Sequence, residues 1–422
     1  MPSYRRAVAT FCVFAPLLYI YWRTFLAPDT PKMLSSWNVT GREDVSNDTL
    51  GFSEVFVINL PSRKDRRDAM SLAGTVSNLT FTWIDGVSGD QVSNLGLPIR
   101  PGEHAASGAK GSWRSHMNAL QSVIREDVTS ALILEDDIDW DIRLKSQLQT
   151  FALASRTWLR ESKSGRHRTE LFDLASPSML RKNEANAVMH DSEQNTIQLA
   201  PDADSDEETR QTTYGDNWDV LWLGHCGADF PHEQSSISHL KVEIPGDETV
   251  PAPKHLKSHP FSLNDKLGEL YPPHTRVVHA SSGNVCTLAY AVSQRGAQKL
   301  LSRFDSHYDT QWDLMLQKWC EGKYAVESKS RLNIRAADDD ETAHKRGESV
   351  PVCLTVQPPL FSHHYTKGGA SNIQGQGGGY AKGTGTPYIR LSVRQNIDRL
   401  VAGAQESELV DQLPDDGDTI WK

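Results

Sequence analysis

The chain has 422 residues, a net charge of −10 at pH 7 and a hydrophobic fraction of 38%. This length allows one large domain or two ordinary ones, and the hydrophobic fraction is enough for a core. The negative charge argues against nucleic-acid binding as the main activity, because phosphate backbones select basic protein surfaces.

The chain opens with a basic tail, residues 1–6, followed by an apolar segment, residues 7–26, whose only charge is Arg23. That segment has the length needed to cross a bilayer. A cleaved signal peptide is the alternative, but the bulky YWRTFL at its end lacks the small residues of a cleavage site. We therefore predict a cytosolic tail at 1–6 and a transmembrane signal anchor at 7–26.

Three N-glycosylation sequons follow the apolar segment, at Asn38, Asn47 and Asn78. Sequons are modified only in the secretory lumen, so their position predicts a single-pass type II protein of the Golgi or ER membrane with a lumenal catalytic domain. Apart from Cys12, the cysteines are Cys226, Cys286, Cys320 and Cys353. In an oxidising compartment these four can form two disulfides in any of three pairings.

A folded domain is predicted over 53–400, after a Pro- and Ser-rich stem at 27–52. It opens with a β-branched strand, EVFVINL (Glu54–Leu60), and continues with a helix after PSRKDRR and a strand in LTFTWIDG. GSWRSHMNALQSVIRED then shows helical spacing, and ALILEDD is a further strand. This alternation predicts an α/β layered fold.

Two stretches break the pattern and are predicted to be flexible insertions, at about 145–215 and 229–275. Between them, WDVLWLGHCG (Trp218–Gly227) predicts a strand that ends at glycines. Later, VCTLAYAVSQRGAQKLLSRF predicts a strand, a turn and an amphipathic helix. Residues 401–422 are predicted to be an acidic tail.

The segment ALILEDD runs an apolar strand directly into Glu135, Asp136 and Asp137. In doubly wound sheets, ligands bind at the carboxyl ends of the strands. Strand alternation would place Glu135 and Asp137 on one side and Asp136 on the other. Two converging carboxylates suit Mg²⁺ or Mn²⁺ carrying substrate phosphates. A solvated strand-to-loop charge run is the alternative.

Several segments in the same order resemble glycosyltransferase family 25, the group of lipooligosaccharide-biosynthesis and procollagen galactosyltransferases. They are VFVINLPSRKDRR, GAKGSWRSHMNAL, ALILEDD, CTLAYAVSQRGAQKLL and WDLML. The resemblance covers about residues 53–375. It implies a GT-A-like (Rossmann-like) mixed sheet flanked by helices, a UDP-sugar donor and a divalent metal, Mn²⁺ or Mg²⁺. It further implies inverting transfer of a sugar, galactose by association, to a glycan or glycoprotein.

The resemblance also suggests roles for particular residues. Glu135 and Asp137 would hold the metal, with His363 or His364 as a third ligand. Asp313 is the candidate base by motif position, and Asp309 is the reserve. Candidates for donor binding are Asn59, Arg66, Ser115, His116 and Asp136.

Several of these residues have a structural alternative. His116 is equally compatible with helix packing, Asp309 with a helix N-cap, and the histidine pair with an ordinary polar loop. Two other functional classes also remain open. A lumenal glycan-binding or scaffold protein could keep the fold without turnover, and a glycosidase would need two carboxylates but no metal.

Overall fold

A computed structural model describes residues 44–98, 106–164, 195–199, 212–256, 266–324, 350–366 and 383–418. These residues confirm the α/β prediction, since they form a large mixed sheet flanked by helices. The strands are β1 (Glu54–Asn59), β2 (Thr82–Asp85), β3 (Ser130–Glu135), β4 (Ile138–Trp140), β5 (Thr196–Gln198), β6 (Val220–Gly224), β7 (Lys241–Ile244), β8 (Arg276–Ala280), β9 (Ala289–Ser293), β10 (Cys353–Gln357) and β11 (Phe361–His363). The α-helices are α1 (Lys64–Val76), α2 (Ser107–Arg125), α3 (Leu144–Ser164), α4 (Lys266–Leu270), α5 (Gln294–Phe304), α6 (Trp312–Cys320) and α7 (Ile397–Val401).

The sheet has the order β2-β1-β3-β9-β6-β10-β8-β7-β5, and β11 joins β6 and β4 beside it. β1 is parallel to both β2 and β3, whereas β9 is antiparallel to its neighbours β3 and β6. The register of β1 and β3 pairs Ile58 with Glu135. The parallel pairing therefore places the residues that follow both strands at one edge of the sheet.

The core lies on both faces of the sheet, as the period-2 side-chain alternation of buried strands requires. Val55, Val57, Leu132 and Leu134 share a cluster with buried residues of α1 and α3. Phe56 and Ile133, their neighbours along the same strands, belong to a second cluster with residues of α2, α5 and α6. The helices thus cover two opposite faces of the sheet.

Several regions predicted to lack structure are ordered. Leu50 and Phe52, placed in the stem, are buried in the first core cluster. The long helix α3 occupies the start of the first predicted insertion and buries Leu148 and Phe151. The second predicted insertion contains β7 and α4. In each case burial of a few apolar side chains outweighs weak local periodicity.

The carboxyl-terminal part of the chain also belongs to the domain. Val393 N donates to Trp140 O, and Ser392 forms a bridge with Asp141. Leu413, which the sequence placed in the acidic tail, is 1% exposed. The segment 383–418 therefore packs against β4.

Within the described residues, no helix has the length and apolar character needed to cross a membrane. The predicted anchor at 7–26 and the sequon at Asn38 lie outside those residues.

The four cysteines form two disulfides, Cys226–Cys286 and Cys320–Cys353, which is one of the three pairings considered. The first ties the end of β6 to the loop before β9. The second joins the end of α6 to β10.

Two buried histidines predict an acid-sensitive fold. His225 and His279 are 1% and 0% exposed, and burial lowers their pKa values to about 4 and about 3. Burial holds both rings in the neutral form. His279 Nε2 accepts from Gln357, which requires a neutral ring, whereas the bond that His225 Nε2 donates to Val356 O raises the pKa of His225 and only partly offsets burial. The unfolded chain binds these protons near pH 6.5, so the free energy of unfolding should fall as the pH drops from 7 to 5. Below pH 6.5, each of the two histidines should lower the free energy of unfolding by about 1.4 kcal/mol for every pH unit.

Denaturant unfolding at pH 7 and pH 5 measures this loss. His279→Gln should reduce the pH dependence, whereas His232→Gln, at an exposed position, should leave it as in the wild type. An unchanged pH dependence in His279→Gln would contradict the assignment.

Candidate functional site

The acidic motif forms a tight turn between two strands. β3 ends at Glu135, Asp136 and Asp137 form the turn, and β4 begins at Ile138. β11 runs antiparallel to β4 and pairs His363 with Ile138. This pairing brings His363 next to Asp137 although the two residues are far apart in the chain.

Arg66 on the first turn of α1 joins both aspartates of the turn. Its Nη1 lies 2.7 Å from Asp136 Oδ1 and 2.9 Å from Asp137 Oδ2. Asn59, at the end of β1, donates from Nδ2 to Asp136 Oδ2 at 2.7 Å. His363 Nε2 lies 3.2 Å from Asp137 Oδ2. The protein's own cations therefore partly compensate the negative charge of the turn.

The side chains of the turn do not alternate as expected for an extended strand. Because β3 ends at Glu135, Asp136 and Asp137 both face Arg66. Glu135 contacts a different group of residues, which includes Thr287 and His116.

The two aspartates differ in their electrostatics. Burial opposes ionisation of Asp137, but the charges of His363, Arg66 and Arg394 and the hydrogen bond from His363 hold its pKa well below the usual range. For Asp136, burial and the neighbouring charge of Asp137 raise the pKa, and they outweigh Arg66 and Asn59. Burial also disfavours a charged His363, yet Asp137 and Glu135 raise its pKa overall. Asp137 is thus an anion in contact with Arg66 and with a histidine whose protonated form it favours.

A second group of polar side chains surrounds Glu135. Thr287 Oγ1 donates to Glu135 Oε1 at 2.9 Å, and His116 Nε2 lies 3.6 Å from the same oxygen. His116 stacks on Trp312 with ring centroids 5.1 Å apart, and its Nδ1 lies 3.1 Å from the hydroxyl of Tyr290. The ring of His116 is therefore both packed in a helix interface and hydrogen-bonded at the site.

Helix α2 positions His116 through a close contact with the loop after β2. Gly111 permits this contact, because a Cβ there would lie 2.5 Å from Val87 O. Ser115 accepts from Val87 N at 2.9 Å and donates to Gly111 O at 2.7 Å. The hydrogen bond between Val87 N and Ser115 thus fixes α2 against the loop after β2.

The two candidate bases lie in different surroundings. Asp313, on the first turn of α6, accepts from Cys286 N at 2.9 Å, one residue before Thr287. This bond links Asp313 to the loop that contacts Glu135. Asp309 instead pairs with Lys318 at 2.9 Å and accepts from Tyr324 at 3.1 Å. None of these partners of Asp309 belongs to the groups around Glu135 and Asp137.

His364 is oriented away from the pair formed by Asp137 and His363. Its Nδ1 lies 2.9 Å from Thr386 Oγ1 and 3.6 Å from Asp139 Oδ2. Asp139 is fully buried and also accepts from Ser392 and from Arg394 N. This network anchors the carboxyl-terminal segment to β4.

The described residues contain no group of three or more His, Cys, Asp or Glu side chains arranged to hold a metal ion. Asp137 nevertheless has an unused acceptor, since Oδ1 is buried and has no hydrogen-bond partner. Mg²⁺ is usually held by one or two carboxylates together with substrate phosphates and waters. The residues present therefore fit a metal shared with a phosphate ligand.

Sequence reasoning did not find Thr287 or Arg394 as site residues. Thr287 directly precedes the strand motif LAYAV, and this position at the start of a strand could have marked it as a site residue. Arg394 donates from Nη2 to Asp136 O at 3.0 Å, across 258 positions of sequence. No local pattern around Arg394 indicates this contact.

A comparison with known protein families matches the part of the chain that carries these elements. The family model described as "Glycosyltransferase family 25 (LPS biosynthesis protein)" matches residues 52–316, which is more than half of the chain. This chain belongs to glycosyltransferase family 25. The matched residues include β1, α1, α2, β3 and the first part of α6, and therefore Arg66, His116, the acidic turn and Asp313.

Similar relatives include both enzymes and proteins named inactive. Procollagen galactosyltransferase 1-A of Xenopus laevis is 33% identical over 132 residues, which cover 28% of this chain and 21% of the relative. Procollagen galactosyltransferase 1 of Danio rerio is 32% identical over 114 residues, covering 24% and 19%. Inactive glycosyltransferase 25 family member 3 of Homo sapiens is 29% identical over 133 residues, covering 29% and 22%. The matches thus span about a fifth of the length of these relatives.

Proposed function

We propose that this protein is an inverting glycosyltransferase with a GT-A-like fold that moves a sugar from a UDP-sugar to a glycan or glycoprotein. Membership of family 25 supports transfer, and the procollagen galactosyltransferases among the relatives support galactose as the sugar.

The observation that carries the proposal is the acidic turn at the carboxyl end of β3. It places Asp137, an anion with a buried free acceptor atom, beside Arg66 and His363, and Asn59 contacts the neighbouring Asp136. Acidic and basic groups at the end of a parallel strand pair suit a ligand that brings both phosphate charge and a cation.

Asp137 would hold Mn²⁺ or Mg²⁺ through its free Oδ1, and His363 lies beside it. Glu135, which contacts Thr287 and His116 instead, is the second candidate ligand. When bound, such an ion would neutralise negative charge on the departing diphosphate. Arg66 would keep the turn in place through its contacts with Asp136 and Asp137, and Asn59 would orient Asp136.

Inversion requires a base that takes the proton of the acceptor hydroxyl as it attacks the anomeric carbon. Asp313 is the better candidate, because its contact with Cys286 N ties it to the loop that carries Thr287. Asp309 already pairs with Lys318.

A second candidate function is a lumenal glycan-binding protein without turnover. The human relative whose name describes it as inactive supports this second candidate. Retention of the ionised Asp137 and of the contacts around Glu135 favours the enzyme.

The localisation proposed is the Golgi or ER membrane, with the anchor at 7–26 and the catalytic domain in the lumen. Two disulfides among the four cysteines support an oxidising compartment, and the sequons at Asn47 and Asn78 support the same side of the membrane.

Release of UDP by the purified full-length protein tests the function. A panel of UDP-sugars is offered with saccharide and collagen-peptide acceptors, first with EDTA and then with excess Mn²⁺. We expect acceptor-dependent UDP release that EDTA abolishes and Mn²⁺ restores, with the largest rate for UDP-galactose. Sugar release from glycans independent of a metal would indicate a glycosidase. UDP binding without turnover under any combination would favour the binding protein.

A further inference from the structure

The residues after the family match contribute a side chain to the acidic turn. Val393 N donates to Trp140 O, and Arg394 N donates to Asp139 Oδ1 at 3.1 Å. Ser392 and Thr386 also bind the carboxylate of Asp139. These bonds hold the backbone of Arg394 alongside β4 without using its guanidinium group.

The guanidinium group of Arg394 is only partly satisfied. It donates from Nη2 to Asp136 O at 3.0 Å, whereas its Nε is buried and has no hydrogen-bond partner. A guanidinium group has five N–H donors, and buried donors without partners are rare in folded proteins. An unpaired donor at this place therefore points to a missing acceptor.

The guanidinium group of Arg394 lies among the charges of three aspartates. Burial lowers the pKa of Arg394, an effect that the charges of Asp139, Asp137 and Asp136 oppose. Arg66 is a second guanidinium group at this turn, and its Nη1 is bound by both Asp136 and Asp137. Of the two arginines, Arg394 thus has the donor that the aspartate side chains leave unpaired.

We infer that Arg394 binds the diphosphate of the sugar-nucleotide donor, so that the segment 383–418 completes the donor site. The inference rests on the proposed function and assigns a substrate-binding role to a part of the chain beyond the family match at 52–316. A guanidinium group suits this role because its planar donors match phosphate oxygens.

Calorimetric titration of the full-length protein with UDP and with uridine tests this role, since only UDP carries the diphosphate. Arg394→Gln removes the charge, and Arg394→Lys keeps the charge but not the planar donors. Arg399→Gln is the matched control, because Arg399 is exposed on α7 of the same segment.

We expect Arg394→Gln to weaken UDP binding about tenfold or more, which is the size of a lost hydrogen bond to a charged group. Uridine binding should stay as in the wild type, Arg394→Lys should be intermediate for UDP, and Arg399→Gln should bind both ligands normally. If Arg394→Gln fails to fold, the loss of UDP but not uridine affinity in Arg394→Lys provides the same test.

Two results would overturn the inference and leave the proposed function standing. The first is an unchanged UDP affinity in both Arg394 variants. The second is an equal loss of UDP and uridine affinity, because that would make Arg394 a purely structural residue. Failure of the wild type to bind UDP with Mn²⁺ present would overturn the proposed function, and the inference with it.

Discussion

Asp137→Asn is expected to abolish sugar transfer while the chain still folds. Asparagine keeps the shape of the side chain but removes the anion that contacts Arg66 and His363 and that would hold the metal. Loss of several kcal/mol of charge stabilisation lowers the rate by about 10³ or more. The fold should persist, because Arg66 keeps its 2.7 Å contact with Asp136. Acceptor-dependent UDP release measures the effect, and the thermal unfolding midpoint checks the fold.

Asp398→Asn is the matched control for this substitution, since Asp398 is exposed on α7. Its rate of UDP release should equal that of the wild type. Turnover at the wild-type rate in Asp137→Asn would show that Asp137 has no part in the reaction.

Asp313→Asn is expected to remove transfer and to leave donor binding intact. A general base contributes about 10² to 10⁴ in rate, and an amide cannot take up the proton. The amide oxygen can still accept from Cys286 N, so the loop that carries Thr287 should keep its position. The expected result is therefore a large fall in kcat with little change in the KM for the donor.

Asp309→Asn separates the two candidate bases. Asp309 is bound to Lys318 and Tyr324, so its replacement should lower stability slightly and leave kcat near the wild-type value. A large fall in kcat for Asp309→Asn with normal turnover in Asp313→Asn would reverse the assignment. An equal loss of UDP affinity in Asp313→Asn would instead make Asp313 a ligand or a structural residue.

The central part of the fold could be predicted because its strands are short, buried and bounded by clear turn residues. EVFVINL, ALILEDD and VLWLG correspond to β1, β3 and β6, and the helical spacing after Gly111 corresponds to α2. By contrast, α3 and β7 lie among polar or Pro- and Ser-rich residues, which hid their apolar positions. Their stability comes from packing in the first core cluster, where Phe151 and Val242 are buried.

The candidate site could be predicted only where its residues share a motif or a strand end. Asn59 ends β1, Arg66 follows β1 and Asp136 follows β3, and the parallel pairing of these strands brings the three residues together. His363 was a candidate ligand in the sequence, but its contact with Asp137 depends on the pairing of β11 with β4. The contact of Arg394 with Asp136 depends on the packing of the carboxyl-terminal segment. Such long-range pairings leave no local pattern in the sequence.

The most direct test is the UDP affinity of the full-length wild-type protein with EDTA and with Mn²⁺, measured by titration calorimetry. If Asp137 and the nucleotide diphosphate share a divalent ion, Mn²⁺ should strengthen UDP binding about tenfold or more in the wild type and should have no such effect in Asp137→Asn. The same UDP affinity with and without Mn²⁺ in the wild type would contradict a metal-assisted donor site at the end of β3.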